Sequence, residues 1–203
     1  MGLLDNIWDV IVRLFKGKKV VVLGAKATGK TTFHKFIREG VLVSEYEETF
    51  RETVKGNTLR HSGFKLHIKK GEDIGGDDKF VHDYWQELVR DCDYCFYLFN
   101  AYDVYRGDDY QIDKLEEQLP FLAKLLQGNA APTRLLVVGT FTDKIPEFAA
   151  DPKRAVRKIR PNIINAIDDA KLDLNHVVYG SLASWDEANT LIGEIFQRIY
   201  QMR

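Results

Sequence analysis

Val20-Val21-Val22-Leu23-Gly24-Ala25-Lys26-Ala27-Thr28-Gly29-Lys30-Thr31-Thr32 is the stretch from which the rest of the 203-residue chain is read. Its first four residues are apolar and mostly β-branched. They are too few for a helix and fit a buried strand. The next eight, Gly24 to Thr31, match the phosphate-loop pattern G-x-x-x-x-G-K-[ST]. Glycines let the backbone bend tightly around phosphates, and the N–H groups of the loop and of the following helix N-terminus supply oriented donors. In such a loop the lysine, here Lys30, reaches the β- and γ-phosphates, and the hydroxyl of Thr31 holds Mg2+. The pattern alone does not choose between ATP and GTP, or between a kinase and a switch.

Working outward, a helix is expected from about residue 30 and a polar, aperiodic loop over 41–57. Phe64, Leu66 and Ile68 alternate as in a half-buried strand. Helical stretches are expected over about 79–90, 112–126, 152–170 and 185–200, with apolar strand runs at 94–99, 135–138 and 177–179 between them. Apolar strands alternating with helices predict an α/β fold, a mostly parallel sheet with helices on both faces. Before the first strand, Leu3, Leu4, Ile7, Trp8, Ile11, Leu14 and Phe15 recur at helical spacing and form one apolar face, ended by Gly17 and flanked by Lys16, Lys18 and Lys19. Residues 1–17 are therefore read as an amphipathic helix and 18–203 as one domain.

Composition narrows the classes. Hydrophobic residues at 45% and charged residues at 29% are a soluble, globular balance. A formal net charge of −1 leaves no global field for nucleic acid, and none is expected as a partner. The two cysteines, Cys92 and Cys95, cannot build a disulfide framework, and no second Cys/His pair completes a zinc site. They read as buried small hydrophobes in a reducing compartment. No apolar run approaches a membrane span, and the start has neither a basic region nor a cleavage site of a secretory signal.

Three more segments each follow a strand. Asp73-Ile74-Gly75-Gly76 has the form Asp-x-x-Gly, Thr140-Phe141-Thr142-Asp143 has the form Thr-x-x-Asp, and Ser181-Leu182-Ala183 follows the strand at 177–179. A carboxylate at Asp143 can accept from the N1–H and 2-amino group of guanine, a donor pair that adenine lacks, and a polar site rejects such a loss strongly. In this order and spacing the segments resemble the GTPases of the Ras superfamily across nearly the whole chain. The resemblance implies a P-loop, three-layer Ras-like fold, with GTP or GDP and Mg2+ as cofactors. It places the nucleotide on Gly24, Ala27, Thr28, Gly29, Lys30, Thr31, Thr32, Gly76, Thr140, Phe141, Asp143, Ser181, Leu182 and Ala183. It places Mg2+ on Thr31, Asp73 and a loop threonine, Thr53 on spacing or alternatively Thr49. Phe141 stands where the family has lysine and could stack on the base instead. Leu182 stands where the family has alanine.

The stretch Asp73-Ile74-Gly75-Gly76-Asp77-Asp78-Lys79 is similar to the Asp-x-Gly-Gly-Gln segment of ADP-ribosylation-factor (Arf) proteins. So are Met1-Gly2 followed by an apolar-faced helix, and the C-terminus Tyr200-Gln201-Met202-Arg203, which has no prenylation box. Asp77 replaces the family's catalytic glutamine, whose neutral amide both donates and accepts; a carboxylate only accepts. Two readings follow: a switch that hydrolyses GTP slowly, or a GTP-locked scaffold that scarcely hydrolyses it. A P-loop kinase is a third, but no arginine-rich lid is evident. Lys26 faces the γ-phosphate edge in the family and could supply charge in cis; the plainer reading is an exposed loop lysine. The resemblance also implies effectors or regulators at 41–58 and 73–90, peripheral membrane contact through 2–16, and a cytoplasmic location.

Overall fold

Alternate residues of each central strand face opposite sides of the sheet, and in this chain both sides are covered. A computed structural model of the chain describes residues 18–39, 42, 59–61, 64–70 and 78–202. Its strands are β1 (Lys19–Gly24), β2 (Leu59–His61), β3 (Phe64–Lys70), β4 (Tyr94–Asn100), β5 (Arg134–Thr140) and β6 (Val177–Tyr179). They form one sheet in the order β2-β3-β1-β4-β5-β6. Every pairing is parallel except the antiparallel β2–β3 edge. The helices are α1 (Lys30–Glu39), α2 (Asp78–Val89), α3 (Ala101–Tyr105), α4 (Asp109–Gln127), α5 (Pro152–Ile159), α6 (Ile164–Asp169) and α7 (Trp185–Gln201).

The period of two sorts the core into halves. Val21, Leu23, Cys95, Tyr97, Phe99, Leu135 and Val137 point to one face, under the apolar sides of α2, α4, α5 and α6. Val20, Val22, Phe96, Leu98, Leu136 and Val138 point to the other, against Phe33, Phe36 and Ile37 of α1 and Leu191, Ile195 and Ile199 of α7. Burial on both sides is why these strands read as continuous apolar runs. Cys92 and Cys95 are free and buried, and burial pushes the Cys95 thiol well above its usual range. At the N-terminal edge of the sheet, Asp93 joins β1 to the start of β4 by accepting from Lys18 Nζ at 2.7 Å and from the Lys19 N–H at 2.8 Å.

Two expectations need correction. The helical segment expected over 152–170 is three pieces: α5, a 3-10 turn at Arg160–Asn162, and α6. Pro161 has no N–H to donate to a carbonyl of the preceding turn, while Arg160 before it keeps helical backbone, so the hydrogen-bond ladder lapses into the 3-10 turn there. The segment expected from 112 begins at Asp109, because the Asp108 carboxylate caps it by accepting from the Gln111 N–H at 3.0 Å. Two short elements were unanticipated, β2 and α3. The side chain of Asn100 starts α3 by accepting from the N–H groups of Tyr102 and Asp103.

Candidate functional site

In a parallel sheet with crossover helices, the loops after the strands gather at the C-terminal edge. There the loop after β1 bends from Gly24 to Gly29, with positive φ at Gly24, Ala27 and Gly29. The buried Thr28 hydroxyl closes the bend by donating to the Ala25 carbonyl at 3.0 Å. Gly29 opens α1, its carbonyl accepting from the Phe33 N–H at 2.9 Å. Lys30, Thr31 and Thr32 thus lie in the first turn of α1, where N–H groups have no partner within the helix. The Lys30 ammonium is turned back into the loop and donates to the Ala25 carbonyl. Lys26 and Ala27 are the exposed residues of the loop. A tight bend running into a helix N-terminus, with two lysines, is an arrangement suited to cradle a phosphate.

The loops after β5 and β6 meet this cradle. Thr140 is buried, and its hydroxyl proton is within reach of the Thr28 carbonyl at 2.9 Å and the Phe99 carbonyl at 3.0 Å. Phe141 takes φ 60° and starts a 3-10 turn, Thr142–Lys144, that carries the exposed Asp143. The Ser181 hydroxyl donates to Asp143 Oδ1 at 2.7 Å, and the Ala183 N–H donates to Ser181 Oγ at 3.0 Å. A Cβ on Gly29 would lie 3.6 Å from Leu182 and 3.8 Å from the Phe141 ring, so all three segments converge on one spot. The Asp143 carboxylate is exposed and held by Ser181, an acceptor suited to a group with adjacent N–H donors.

The structure therefore brings together Gly24, Lys26, Ala27, Thr28, Gly29, Lys30, Thr31 and Thr32 of the loop with Thr140, Phe141, Asp143, Ser181, Leu182 and Ala183. Asp73, Gly76, Asp77, Thr53, Thr49 and the helix read over 1–17 lie outside the described residues. Among the described residues no three His, Cys, Asp or Glu side chains converge on a metal position. Thr31, at the end of the cradle, is the one expected Mg2+ ligand that is described.

Three contributors escaped the sequence reading. The Lys144 ammonium lies 4.7 Å from the centre of the Phe141 ring, so a cation is present near the position where the family's lysine is missing. Glu187 receives a hydrogen bond from Ser184 at 2.9 Å and caps α7 with it; its carboxylate lies 3.3 Å from the Ser181 hydroxyl. The Ser184-x-x-Glu187 spacing signalled that cap. Gln111 donates from Nε2 to the Lys26 carbonyl at 3.1 Å; in sequence it is only an interruption of the leucine stripe of α4.

No protein-family model matches the chain, and no curated protein matches it in sequence. Solved structures do match. One is a crystal structure of an ADP-ribosylation-factor-like GTP-binding protein, the small COPII coat GTPase SAR1 from Encephalitozoon cuniculi, in complex with GDP. It superposes with a TM-score of 0.60 at 16% sequence identity, covering 96% of this chain and 82% of that one. The chain thus has the Ras-like P-loop fold of an Arf-like GTP-binding protein. At this identity the likeness is one of fold, and a fold hosts many functions. Among the described residues no helix is long and apolar enough to cross a membrane.

Proposed function

We propose that this chain is an Arf-like small GTPase, a switch that binds GTP and GDP with Mg2+ through the cradle and the Asp143 carboxylate. The observation that carries the reading is the Ser181–Asp143 pair beside Gly29, Phe141 and Leu182. A nucleoside seated there accepts support from both a phosphate cradle and a base-reading carboxylate. In this reading Lys30 and the helix N-terminus hold the β- and γ-phosphates, and Phe141 stacks on the base. Asp143 accepts from guanine N1–H and the 2-amino group, while the loop Ser181–Ala183 meets the base carbonyl. Thr31, with Asp73 and Thr53, would hold Mg2+, which supplies charge neutralisation of the phosphates when bound.

GTP hydrolysis is slow in this reading, because Asp77 cannot donate to the attacking water as a glutamine amide does. An intrinsic rate at or below about 10⁻⁴ s⁻¹ is expected. The same residue favours a second reading, a GTP-locked scaffold acting through protein contacts at 41–58 and 73–90. In this reading residues 1–17 are an amphipathic helix, and residues 2–16 would give peripheral contact with a membrane from the cytoplasmic side.

The test is the nucleotide content of the purified full chain, followed by titration with GDP, GTP and ATP in Mg2+. Guanine preference is expected, with Lys30→Ala abolishing or badly weakening binding and Asp143→Ala losing preference more than phosphate affinity. Equal wild-type affinity for ATP and GTP would sink the assignment of Asp143. Bound GDP after purification supports the turning switch, and retained GTP supports the scaffold. Single-turnover hydrolysis then separates them further: Asp77→Ala should change little, and its collapse of a brisk wild-type rate would make Asp77 a working base.

A further inference from the structure

Helix α4 buries Gln111, Leu115, Leu119, Leu122 and Leu126 on one face. Gln111 is the polar member of that stripe and is 4% exposed. Its Nε2 donates to the Lys26 carbonyl at 3.1 Å, across 85 positions of sequence. Its Oε1 is buried and has no partner among the described residues. The amide orientation is set by chemistry: turned over, Oε1 would face the Lys26 carbonyl, acceptor against acceptor. A methionine would fill the same space without orphaning a buried acceptor, an arrangement that destabilises. The glutamine is thus explained by the one thing methionine lacks, the N–H that holds the Lys26 peptide.

The tether is itself held firmly. Gly107, at φ 77°, turns the chain into α4, and Asp108 caps the helix on the Gln111 N–H. The position of Lys26 also matters. Gly29, beside Phe141 and Leu182, marks the base end of the cradle. Lys30 is folded into the loop onto Ala25. Lys26 is exposed and its peptide is tied to α4, whereas the contacts with Phe141 and Leu182 are made at Gly29; a phosphate chain entering past Gly29 would run on toward Lys26.

We propose that Gln111 is a positioning residue for the terminal phosphate of a nucleoside triphosphate. By fixing the Lys26 peptide it holds the Lys26 ammonium toward the third phosphate, so preference for triphosphate over diphosphate depends on α4. This rests on the reading that the cradle binds guanine nucleotides.

The experiment is calorimetric titration of the full chain in Mg2+ with GDP and with a non-hydrolysable GTP analogue. The variants are Gln111→Met, Gln111→Glu, Lys26→Ala and the Gln111→Met/Lys26→Ala pair. Gln111→Met and Gln111→Glu should each weaken the analogue roughly fivefold or more, within the range seen for coupled neighbours, and change GDP by less than about twofold. In the Lys26→Ala background, Gln111→Met should add no further loss. The unliganded melting temperature of Gln111→Met should stay near the wild type's, because the loss of the unpaired Oε1 offsets the loss of the bond to Lys26. Equal losses for both nucleotides or additivity with Lys26→Ala would overturn the proposal and leave only a packing role. A wild type that binds neither nucleotide would instead overturn the functional reading, and this inference with it.

Discussion

Gly24→Ala should unfold or gravely weaken this protein, and the reason is geometric. Gly24 ends β1 at φ 141°, a backbone region that L side chains rarely adopt. A Cβ there would lie 2.1 Å from the Leu98 carbonyl oxygen, 3.0 Å from its carbon and 3.1 Å from the Leu98 nitrogen. An ordinary nonbonded contact is nearer ~3.5 Å, so the overlap with the oxygen exceeds ~1 Å. Leu98 is the register partner of Gly24 in the β1–β4 ladder, so the clash is with backbone that cannot swing aside. Backbone strain contributes about 1–3 kcal/mol and overpacking about 1–3 kcal/mol more. The sum, about 2–6 kcal/mol, is a large share of the ~5–15 kcal/mol typical of a domain. Urea unfolding of wild type, Gly24→Ala and Gly107→Ala separates the two contributions. Gly107 also has positive φ, 77°, but a Cβ there would meet nothing within 4 Å. It should show the backbone part alone, about 1–2 kcal/mol. If Gly24→Ala costs no more than Gly107→Ala, the steric argument is wrong.

Gly193, in the interior of α7 with nothing within 4 Å of a built Cβ, gives the opposite sign: Gly193→Ala should stabilise by about 0.5–1 kcal/mol in the same urea series. Tyr97 is fully buried, and burial holds its hydroxyl far above the usual phenol range. A raised folded pKa means its contribution is complete below the unfolded value near ~10 and is lost as pH rises beyond it. Tyr97→Phe should therefore reduce the alkaline slope of stability by about 1.4 kcal/mol per pH unit, read from urea midpoints on either side of that value; an unchanged slope would refute the assignment. Ser181→Ala should weaken the preference for guanine over adenine nucleotides, because Asp143 loses the hydroxyl that orients it at 2.7 Å. Competition titration checks this, and an unaltered preference would mean Asp143 is oriented by other groups.

The legible parts of the fold were those where one physical rule dominates. Val20–Leu23, the run at 94–99 and the run at 135–138 read as strands because burial on both faces leaves only apolar residues. The long α4 and α7 read as helices from their stripes. The break in the 152–170 segment was harder, because Ala155, Ile159, Ile163, Ala166, Ile167 and Ala170 continue an apolar pattern into the core across Pro161. Pattern and proline disagreed there, and the missing N–H won. Helix α3 is five residues long, shorter than any periodicity can register. In the candidate site, the phosphate loop, Thr140, Asp143 and Ser181 were found because each follows its own strand, and parallel topology carries those positions to one edge. Gln111 has no such marker. Its partner Lys26 is set by how α4 packs across the sheet, which the local sequence does not encode.

The hydrogen bonds at that edge tie segments that are far apart in the chain into one unit. Thr140 reaches the Thr28 carbonyl across 112 positions, Gln111 reaches Lys26 across 85, and Ser181 reaches Asp143 across 38. Each bond links the loop of one strand to another loop or helix, so the cradle cannot shift without disturbing the carboxylate beside it. In the proposed reading, a ligand with phosphates at one end and a hydrogen-bonding base at the other engages both halves of that edge. The arrangement also makes the site a reporter of its own ligand. A nucleotide bound at a hundred times its dissociation constant stabilises the folded state by about 2.7 kcal/mol. The edge linked by Thr140, Gln111 and Ser181 is where that stabilisation enters the sheet. Base-side and phosphate-side substitutions should then be non-additive in their effect on ligand-dependent melting, as neighbours in one hydrogen-bonded network are.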